Sequence, residues 1–257
     1  MLVFSAFITG VLVGLTGVGG GSLMTPLLVL VFGWAPAAAV GTDLWFAAFT
    51  KLAASRMHHT AGLIDWQVVR RLWLGSLPAA ALTLVVIKTG HLSLDITVIK
   101  PLIGGAVLIT AGGMLLQKRL HQLGERLRLT HATGFKAWQP PLTVAAGVVL
   151  GVLVTLTSIG AGVLGAVMLT YLYPLRLTPA RLAATDIVHA IPLAMLAGMG
   201  YLLLGLVNWP LLGWMLVGSL PGVLLGVYLS SRLPQWAIRL ALAGVLCMVG
   251  IKMLLPA

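Results

Sequence analysis

Charged residues are scarce in this chain of 257 residues, at 8%, whereas 60% of the residues are hydrophobic. A soluble domain carries about 25% charged residues and is about half apolar, so a water-soluble fold and a disordered chain are both excluded. Acidic residues are the rarest charged class, five against sixteen Lys and Arg, for a net charge of +11. Because the basic residues lie mostly between apolar segments, where they orient membrane proteins, we expect a multi-pass protein in a lipid bilayer and no nucleic-acid partner.

Cysteine is nearly absent as well, since Cys247 is the only one. This excludes a disulfide within the chain and a thiolate metal site, and we expect no metal and no cofactor. The Gly-rich segments lack the lysine of a nucleotide-binding P-loop, which excludes primary active transport by this chain alone. The N-terminal residues enter an apolar run without a signal-peptide pattern, so we expect the first segment to stay in the mature protein.

The chain repeats itself at an offset of 143 residues. Gly-Ser-Leu-Pro at 75–78 recurs at 218–221, Thr-Asp at 42–43 recurs at 185–186, and Gly-Leu-Ile-Asp-Trp at 62–66 recurs as Gly-Leu-Val-Asn-Trp at 205–209. Further upstream the offset becomes 141, which aligns the Gly-rich run at 16–21 with residues 157–162. The sequence therefore predicts two halves of one ancestral unit, 1–117 and 141–257, joined by a basic linker at 118–140.

Apolar runs and their Gly and Pro boundaries predict an all-α polytopic membrane protein with five helical segments in each half. The segments are 3–16, 22–33, 36–57, 66–88 and 97–117, then 142–157, 162–173, 179–203, 209–231 and 236–255. The first two of each half reach only about 18–24 Å, against a hydrocarbon core of about 30 Å. We interpret each such pair as a short hairpin with its Gly-rich tip near the midplane; two short, thinned spans are the alternative.

The distribution of basic residues predicts the topology. If the linker is cytoplasmic and each hairpin returns to its own side, thirteen basic residues lie inside and only Lys88, Lys100 and Lys252 lie outside. Parallel halves would place ten inside and six outside. We therefore predict inverted repeats with both termini facing outward, an arrangement typical of secondary transporters, whose substrate lies where the repeats meet.

The two hairpin tips are the predicted substrate site. Helix N-termini there would direct free backbone N–H groups into the membrane, where an anion is the natural acceptor. The alternative is that the glycines only let helices pack closely, as expected for Gly10 with Gly14 and Gly147 with Gly151. The predicted substrate-binding residues are Thr16, Gly17, Gly19, Gly20, Gly21 and Ser22 in the first tip and Thr157, Ser158, Gly160, Ala161 and Gly162 in the second.

Asp43 and Asp186 occupy matched positions seven residues after Pro36 and Pro179, about 10 Å into their helices. Ionisable groups at that depth are costly and usually functional, so either carboxyl is a candidate proton carrier. The alternative is a structural tether, with Asp186 reaching His189, and Asp43 pairing with Lys51 or capping a hairpin tip. Thr42, Thr185 and His189 join the two acids as predicted coupling or site-organising residues.

Other polar residues have simpler interpretations. Asp65 and Asn208 each precede a Trp at a helix start and are predicted N-caps. Lys51 and Arg56 are predicted to anchor the cytoplasmic side, with a place on the path of an anion as the alternative.

With these motifs the chain resembles the sulfite exporter TauE/SafE family of bacterial membrane permeases. The resemblance is carried by Gly-Leu-Thr-Gly-Val-Gly-Gly-Gly-Ser at 14–22 with Pro26, by Gly-Thr-Asp at 41–43, and by the turn at 62–66. It implies transport of small sulfur-containing anions such as sulfite, thiosulfate or sulfoacetate across the bacterial cytoplasmic membrane. The second tip departs from the family pattern, with Ser158 and Ala161 where glycines are usual.

We therefore expect a secondary transporter, favour export and expect no enzymatic activity. Proton-coupled uptake is the main alternative, because Asp43 and Asp186 could supply the proton. Weaker alternatives are a cation or metal permease, an intramembrane enzyme using Ser22 or Ser158 with His189, and a membrane scaffold. The expected partners are the anion, protons and the bilayer, and a homodimer is left open.

Overall fold

The fold is entirely helical in the part of the chain that the structure describes. A computed structural model describes residues 3–4, 6–8, 10–11, 21–59, 62–130, 132–230 and 235–255. No strand occurs in these residues, and the described residues between 3 and 11 are helical. The further helices are α1 (Gly21–Leu30), α2 (Pro36–His59), α3 (Trp66–Lys88), α4 (Ile96–Thr130), α5 (Ala132–Thr157), α6 (Val163–Leu172), α7 (Pro179–Leu203), α8 (Trp209–Ser230) and α9 (Gln235–Leu254).

The helices differ in whether they are long enough to cross a membrane. Among the described residues, five helices are long and apolar enough to cross a membrane: those at Trp66–Lys88, Ile96–Thr130, Gly134–Thr157, Pro179–Leu203 and Trp209–Gly226. By contrast, α1 and α6 have only 10 residues each, or about 15 Å, half of a hydrocarbon core. The chain is therefore a multi-pass membrane protein, and the described lengths of α1 and α6 are about half of what a span requires.

The two halves of the chain interlock. Helix α2 of the first half packs along α7 of the second, α3 packs along α5, and α4 packs along both α6 and α9. Leu44, Ile103, Val107, Leu193 and Ala197 are fully buried in the largest apolar cluster, which both halves supply. The core of the protein is therefore the interface between the halves.

Glycines bring the backbones of the two halves together. A Cβ atom at Gly151 of α5 would lie 2.4 Å from the Ser76 carbonyl oxygen of α3. At the repeat-equivalent place, a Cβ at Gly10 would lie 2.4 Å from the Ser219 carbonyl oxygen of α8. Both distances are far below van der Waals contact, so each crossing requires glycine, as in close helix pairs of membranes. The first segment of each half thus crosses the fourth segment of the other half.

The helices around the predicted linker are longer than the apolar runs indicated. Helix α4 continues through the basic residues to Thr130, and α5 begins at Ala132 and runs through Pro140 and Pro141. Lys, Arg, Gln and Glu are good helix formers, so the loss of apolar character near residue 117 did not end the helix. The predicted short arm at 142–157 is consequently the last part of a 26-residue helix.

We predict that Gly147→Ala destabilises the protein. Its new methyl group would lie 2.4 Å from the Leu72 carbonyl oxygen, and such overpacking costs about 1–3 kcal/mol. Thermal unfolding in detergent should show a lower Tm by about 2–4 °C per kcal/mol for a chain of this size.

Gly105→Ala is the matched control, because no atom lies within 4 Å of a Cβ built there and alanine favours a helix over glycine. Equal Tm values for the two variants would contradict the close crossing of α3 and α5.

Candidate functional site

Helices α2 and α7 carry the predicted acids into the centre of the protein. Thr178 caps α7, its Oγ1 accepting from the Arg181 N–H at 3.4 Å, and Pro179 occupies the first turn. Asp43 is fully buried and Asp186 is 4% exposed. Both carboxyl groups therefore lie at the interface between the halves.

The threonine before each aspartate binds the other half. Thr42 Oγ1 accepts a hydrogen bond from the Asn208 N–H at 3.1 Å, and Thr185 Oγ1 accepts one from the Asp65 N–H at 3.1 Å. The two bonds are repeat equivalents, since residue 42 corresponds to 185 and 65 to 208. Each threonine thus fixes the helix start that follows the Gly-Leu turn of the opposite half.

The predicted N-caps are confirmed at both turns. Asp65 Oδ1 accepts from the Val68 N–H at 3.3 Å, and Asn208 Oδ1 accepts from the Leu211 N–H at 2.8 Å. Asp65 has a second partner that the sequence did not predict, because Arg176 Nε donates to its Oδ2 at 2.7 Å. This ion pair joins the turn after α6 to the start of α3.

Asp43 contacts the short helix of its own half. Thr25 Oγ1 in α1 donates to Asp43 Oδ2 at 2.5 Å, and the side chain of Ser158 lies beside the same carboxyl group. The other carboxyl oxygen, Oδ1, has no hydrogen-bond partner among the described residues, and neither has the Ser158 hydroxyl. Of the alternatives for Asp43, the structure shows contact with a hairpin arm rather than a close pair with Lys51.

Asp186 contacts the start of the short helix of the second half. Its carboxylate lies beside the Gly162 N–H, and a Cβ atom at Gly165 would lie 2.3 Å from its Oδ1. Its Oδ2 lies 4.0 Å from Lys51 Nζ, and both side chains are 5% exposed. Asp186 therefore forms a buried ion pair with Lys51 of the first half, whereas the predicted tether was His189.

The second tip breaks the helical backbone inside the protein. Ser158, Gly160 and Gly162 have φ values of 60°, 127° and 131°, and all three are buried. Gly162 is the N-cap of α6 without a side-chain hydrogen bond, so the first N–H groups of α6 lack intrahelical acceptors. Within the tip, Thr157 Oγ1 accepts from the Ile159 N–H at 3.1 Å, and the Ala161 carbonyl accepts from Lys51 Nζ at 3.1 Å.

The first tip is described only in part. Gly21 begins α1 and Ser22 follows in its first turn, whereas Thr16, Gly17, Gly19 and Gly20 lie outside the described residues.

His189 follows Asp186 by three residues in α7 and is fully buried. Its Nε2 lies 3.0 Å from Ser76 Oγ of α3, and its Nδ1 has no hydrogen-bond partner in the part of the chain described. The serine bound to His189 is thus Ser76 and not Ser158 of the enzyme alternative, whereas the side chain of Ser22 lies outside the described part of the chain. No group of three His, Cys, Asp or Glu residues that could hold a metal occurs among the described residues.

Sequence reasoning missed Thr25 and Ser76 as members of the site. For Lys51 it favours a cytoplasmic anchor, with a pair to Asp43 or a place on the path of an anion as the alternatives, yet Lys51 is only 4% exposed and pairs with Asp186. Three features of the sequence could have indicated these residues. Thr25 is a polar residue in a short apolar arm, Ser76 lies in the repeated Gly-Ser-Leu-Pro motif, and Lys51 lies within an apolar helix eight residues after Asp43.

Charged groups are buried here beside a break in a helix, where the two halves of a multi-pass protein meet. Membrane transporters are organised in this way. The family description "Sulfite exporter TauE/SafE" matches residues 2–253. The chain belongs to this family, and it is a membrane transporter.

Named relatives agree with this assignment. The chain is 34% identical to "Probable membrane transporter protein YjnA" of Bacillus subtilis (strain 168), over 98% of each chain. It is 25% identical to "Probable membrane transporter protein YdhB" of the same strain, over 94% of each chain. It is 23% identical to "Probable membrane transporter protein MJ0441" of Methanocaldococcus jannaschii, over 99% of this chain and 95% of the relative. No solved structure matches the chain.

We predict that Thr42→Val and Thr185→Val each lower the free energy of unfolding by about 1–3 kcal/mol, with the larger loss for Thr185→Val, because each leaves an N–H group without its acceptor and the Asp65 N–H is buried whereas the Asn208 N–H is part-buried. Thr42→Ser and Thr185→Ser keep the acceptor and serve as controls. Denaturant or thermal unfolding in detergent measures the difference. Valine variants as stable as the serine variants would show that the reciprocal bonds contribute nothing.

Proposed function

We propose that this protein is a secondary transporter that exports small sulfur-containing anions such as sulfite, thiosulfate or organosulfonates like sulfoacetate. The anion binds between the two hairpin tips and is exposed to each side in turn as the halves rock against each other. The observation that carries the proposal is the second tip, where Lys51 Nζ lies 3.1 Å from the Ala161 carbonyl oxygen beside the N-terminus of α6. An ammonium group and a helix N-terminus both stabilise negative charge.

The halves are proposed to be inverted repeats. The reciprocal bonds of Thr42 and Thr185 and the equivalent crossings at Gly10 and Gly151 support a two-fold relation between them. With the basic stretch at 118–140 on the cytoplasmic side, both termini would face outward. We place the protein in the bacterial cytoplasmic membrane.

The membrane potential favours export. A negative-inside potential expels a monovalent anion with about 2.3 kcal/mol per 100 mV, so export needs no coupled ion. Proton-coupled uptake remains the second candidate, because Asp43 and Asp186 are both buried within the site and could carry the proton.

The buried ammonium of Lys51 favours an anion as substrate over a cation. A cation would be repelled by it, and the carboxylate of Asp186 is already paired with it. A scaffold role would not require charged groups at the membrane interior, where they are costly.

We predict that Gly162→Ala abolishes transport. Gly162 has a φ of 131°, which side chains rarely adopt, so alanine would displace the N-terminus of α6 from the site. The assay loads proteoliposomes with sulfite, thiosulfate, sulfoacetate, sulfate or chloride and follows efflux under an imposed potential. Saturable, selective efflux of one sulfur anion is expected from the wild type and not from the variant.

Gly90→Ala is the matched control, because Gly90 also has a positive φ, 76°, but lies in an exposed turn after α3. It should lose some stability and keep transport. Equal efflux from Gly162→Ala and Gly90→Ala would contradict the tip as the substrate site. A folded wild-type protein that transports none of the sulfur anions would overturn the proposed function.

A further inference from the structure

Lys51 is a buried cation with incomplete pairing. An ammonium group can donate three hydrogen bonds, but among the described residues Lys51 Nζ donates one, to the Ala161 carbonyl at 3.1 Å. Its ionic partner, Asp186 Oδ2, is at 4.0 Å, the outer limit of an ion pair. Taking an ammonium out of water costs several kcal/mol unless its donors are satisfied, so this ammonium is well placed to receive a further acceptor.

Polar groups of the second tip and of α7 are also incompletely paired. Asp186 Oδ1, the Ser158 hydroxyl and His189 Nδ1 have no hydrogen-bond partner in the part of the chain described, and all three side chains are at least nine-tenths buried. Buried polar atoms are nearly always paired, so each exception needs an explanation. An anion that enters between the tip and α7 would accept hydrogen bonds from the Ser158 hydroxyl and from an Nδ1–H of His189, whereas the carboxylate of Asp186 can only accept and would have to move away from the anion.

The carboxylate of Asp186 has the position expected for an anionic ligand. It lies beside the Gly162 N–H at the start of α6 and faces the ammonium of Lys51. Because Gly165 has no side chain, the carboxylate packs directly onto α6. A sulfite or sulfonate group presents the same chemistry, with negatively charged oxygens that accept from an ammonium and from backbone N–H groups.

We propose that Lys51 is the cationic ligand of the transported anion, and that Asp186 takes the anion's place when the site is empty. This inference rests on the proposed function. The substrate and the carboxylate then compete for one ammonium, and binding requires Asp186 to yield its position. Because Lys51 comes from the first half, and Asp186 and the tip come from the second, the exchange changes the contacts that join the two halves.

Only the first half carries a lysine at the position of Lys51. The residue equivalent to Lys51 in the second half is Ala194, and the residue equivalent to His189 in the first half is Phe46. The proposed site therefore has one ammonium, which predicts one anion per binding event.

The test is calorimetric binding of sulfite, thiosulfate and sulfoacetate to the purified full-length protein. Asp186→Asn keeps the size of the side chain but removes its charge, so the anion that binds the wild type should bind about tenfold more tightly. Lys51→Met should weaken binding at least about thirtyfold, since a buried charge pair with the anion is lost.

Lys51→Met leaves the Asp186 carboxylate unpaired and could fail to fold. The double variant Lys51→Met with Asp186→Asn removes both charges together, so it leaves no carboxylate unpaired and should fold. It should still bind the anion more weakly than the wild type, which keeps the experiment decisive. Lys88→Met, at an exposed lysine at the end of α3, is the control and should bind as the wild type does.

The outcomes separate the two proposals. Wild-type affinity in the double variant, or weaker binding in Asp186→Asn, would overturn the competition between Asp186 and the anion while leaving the tip site in place. A folded wild-type protein that binds none of the three anions would overturn the proposed function and this inference with it.

Discussion

The structure depends on a break in the backbone that is buried inside the protein, where water does not reach the freed polar groups. At Ser158–Gly162 the helical hydrogen bonds stop, and α6 begins at Gly162 without a side-chain cap. In a membrane protein such a break is tolerated only where the surrounding protein or a ligand supplies partners. The buried carboxylates of Asp43 and Asp186 and the ammonium of Lys51 from the opposite half lie beside this break. The tip is accordingly the place where we expect a polar ligand to bind.

Pairing between the halves takes two forms with different consequences for movement. The bonds from Thr42 and Thr185 to the opposite turns are local, equivalent by repeat and independent of charge, so the proposed movement of the halves would leave them in place. The contacts of Lys51 with Asp186 and Ala161, and of Ser76 with His189, occur once each and involve titratable groups. Polar contacts of this kind can be exchanged for contacts with a substrate, which alternating access requires. In the proposed transport cycle the first set of contacts would therefore stay fixed and the second set would be exchanged.

Repetition in the sequence explains what could be predicted. The 143-residue offset identified Thr42–Asp43 with Thr185–Asp186 and the N-cap Asp65 with Asn208, and the 141-residue offset identified the second tip, because each has an equivalent whose role it shares. Repetition gives no information on the partners of Lys51 and His189, since their equivalents are Ala194 and Phe46. Their contacts join residues 110 to 135 positions apart across the halves, and no helical spacing encodes such pairs. Helix limits near 117–141 were missed because charged residues continue a helix that leaves the apolar region.

The central claim is that a small oxyanion lies between Lys51 and the start of α6. Its most direct test is a crystal structure of the protein grown with selenite, whose selenium locates a sulfite-like anion by anomalous scattering. The account predicts one strong peak within hydrogen-bond reach of Lys51 Nζ and the Gly162 N–H, with the Asp186 carboxylate moved away from the ammonium. An occupied selenite site elsewhere in the protein, with Asp186 still paired to Lys51, would contradict it.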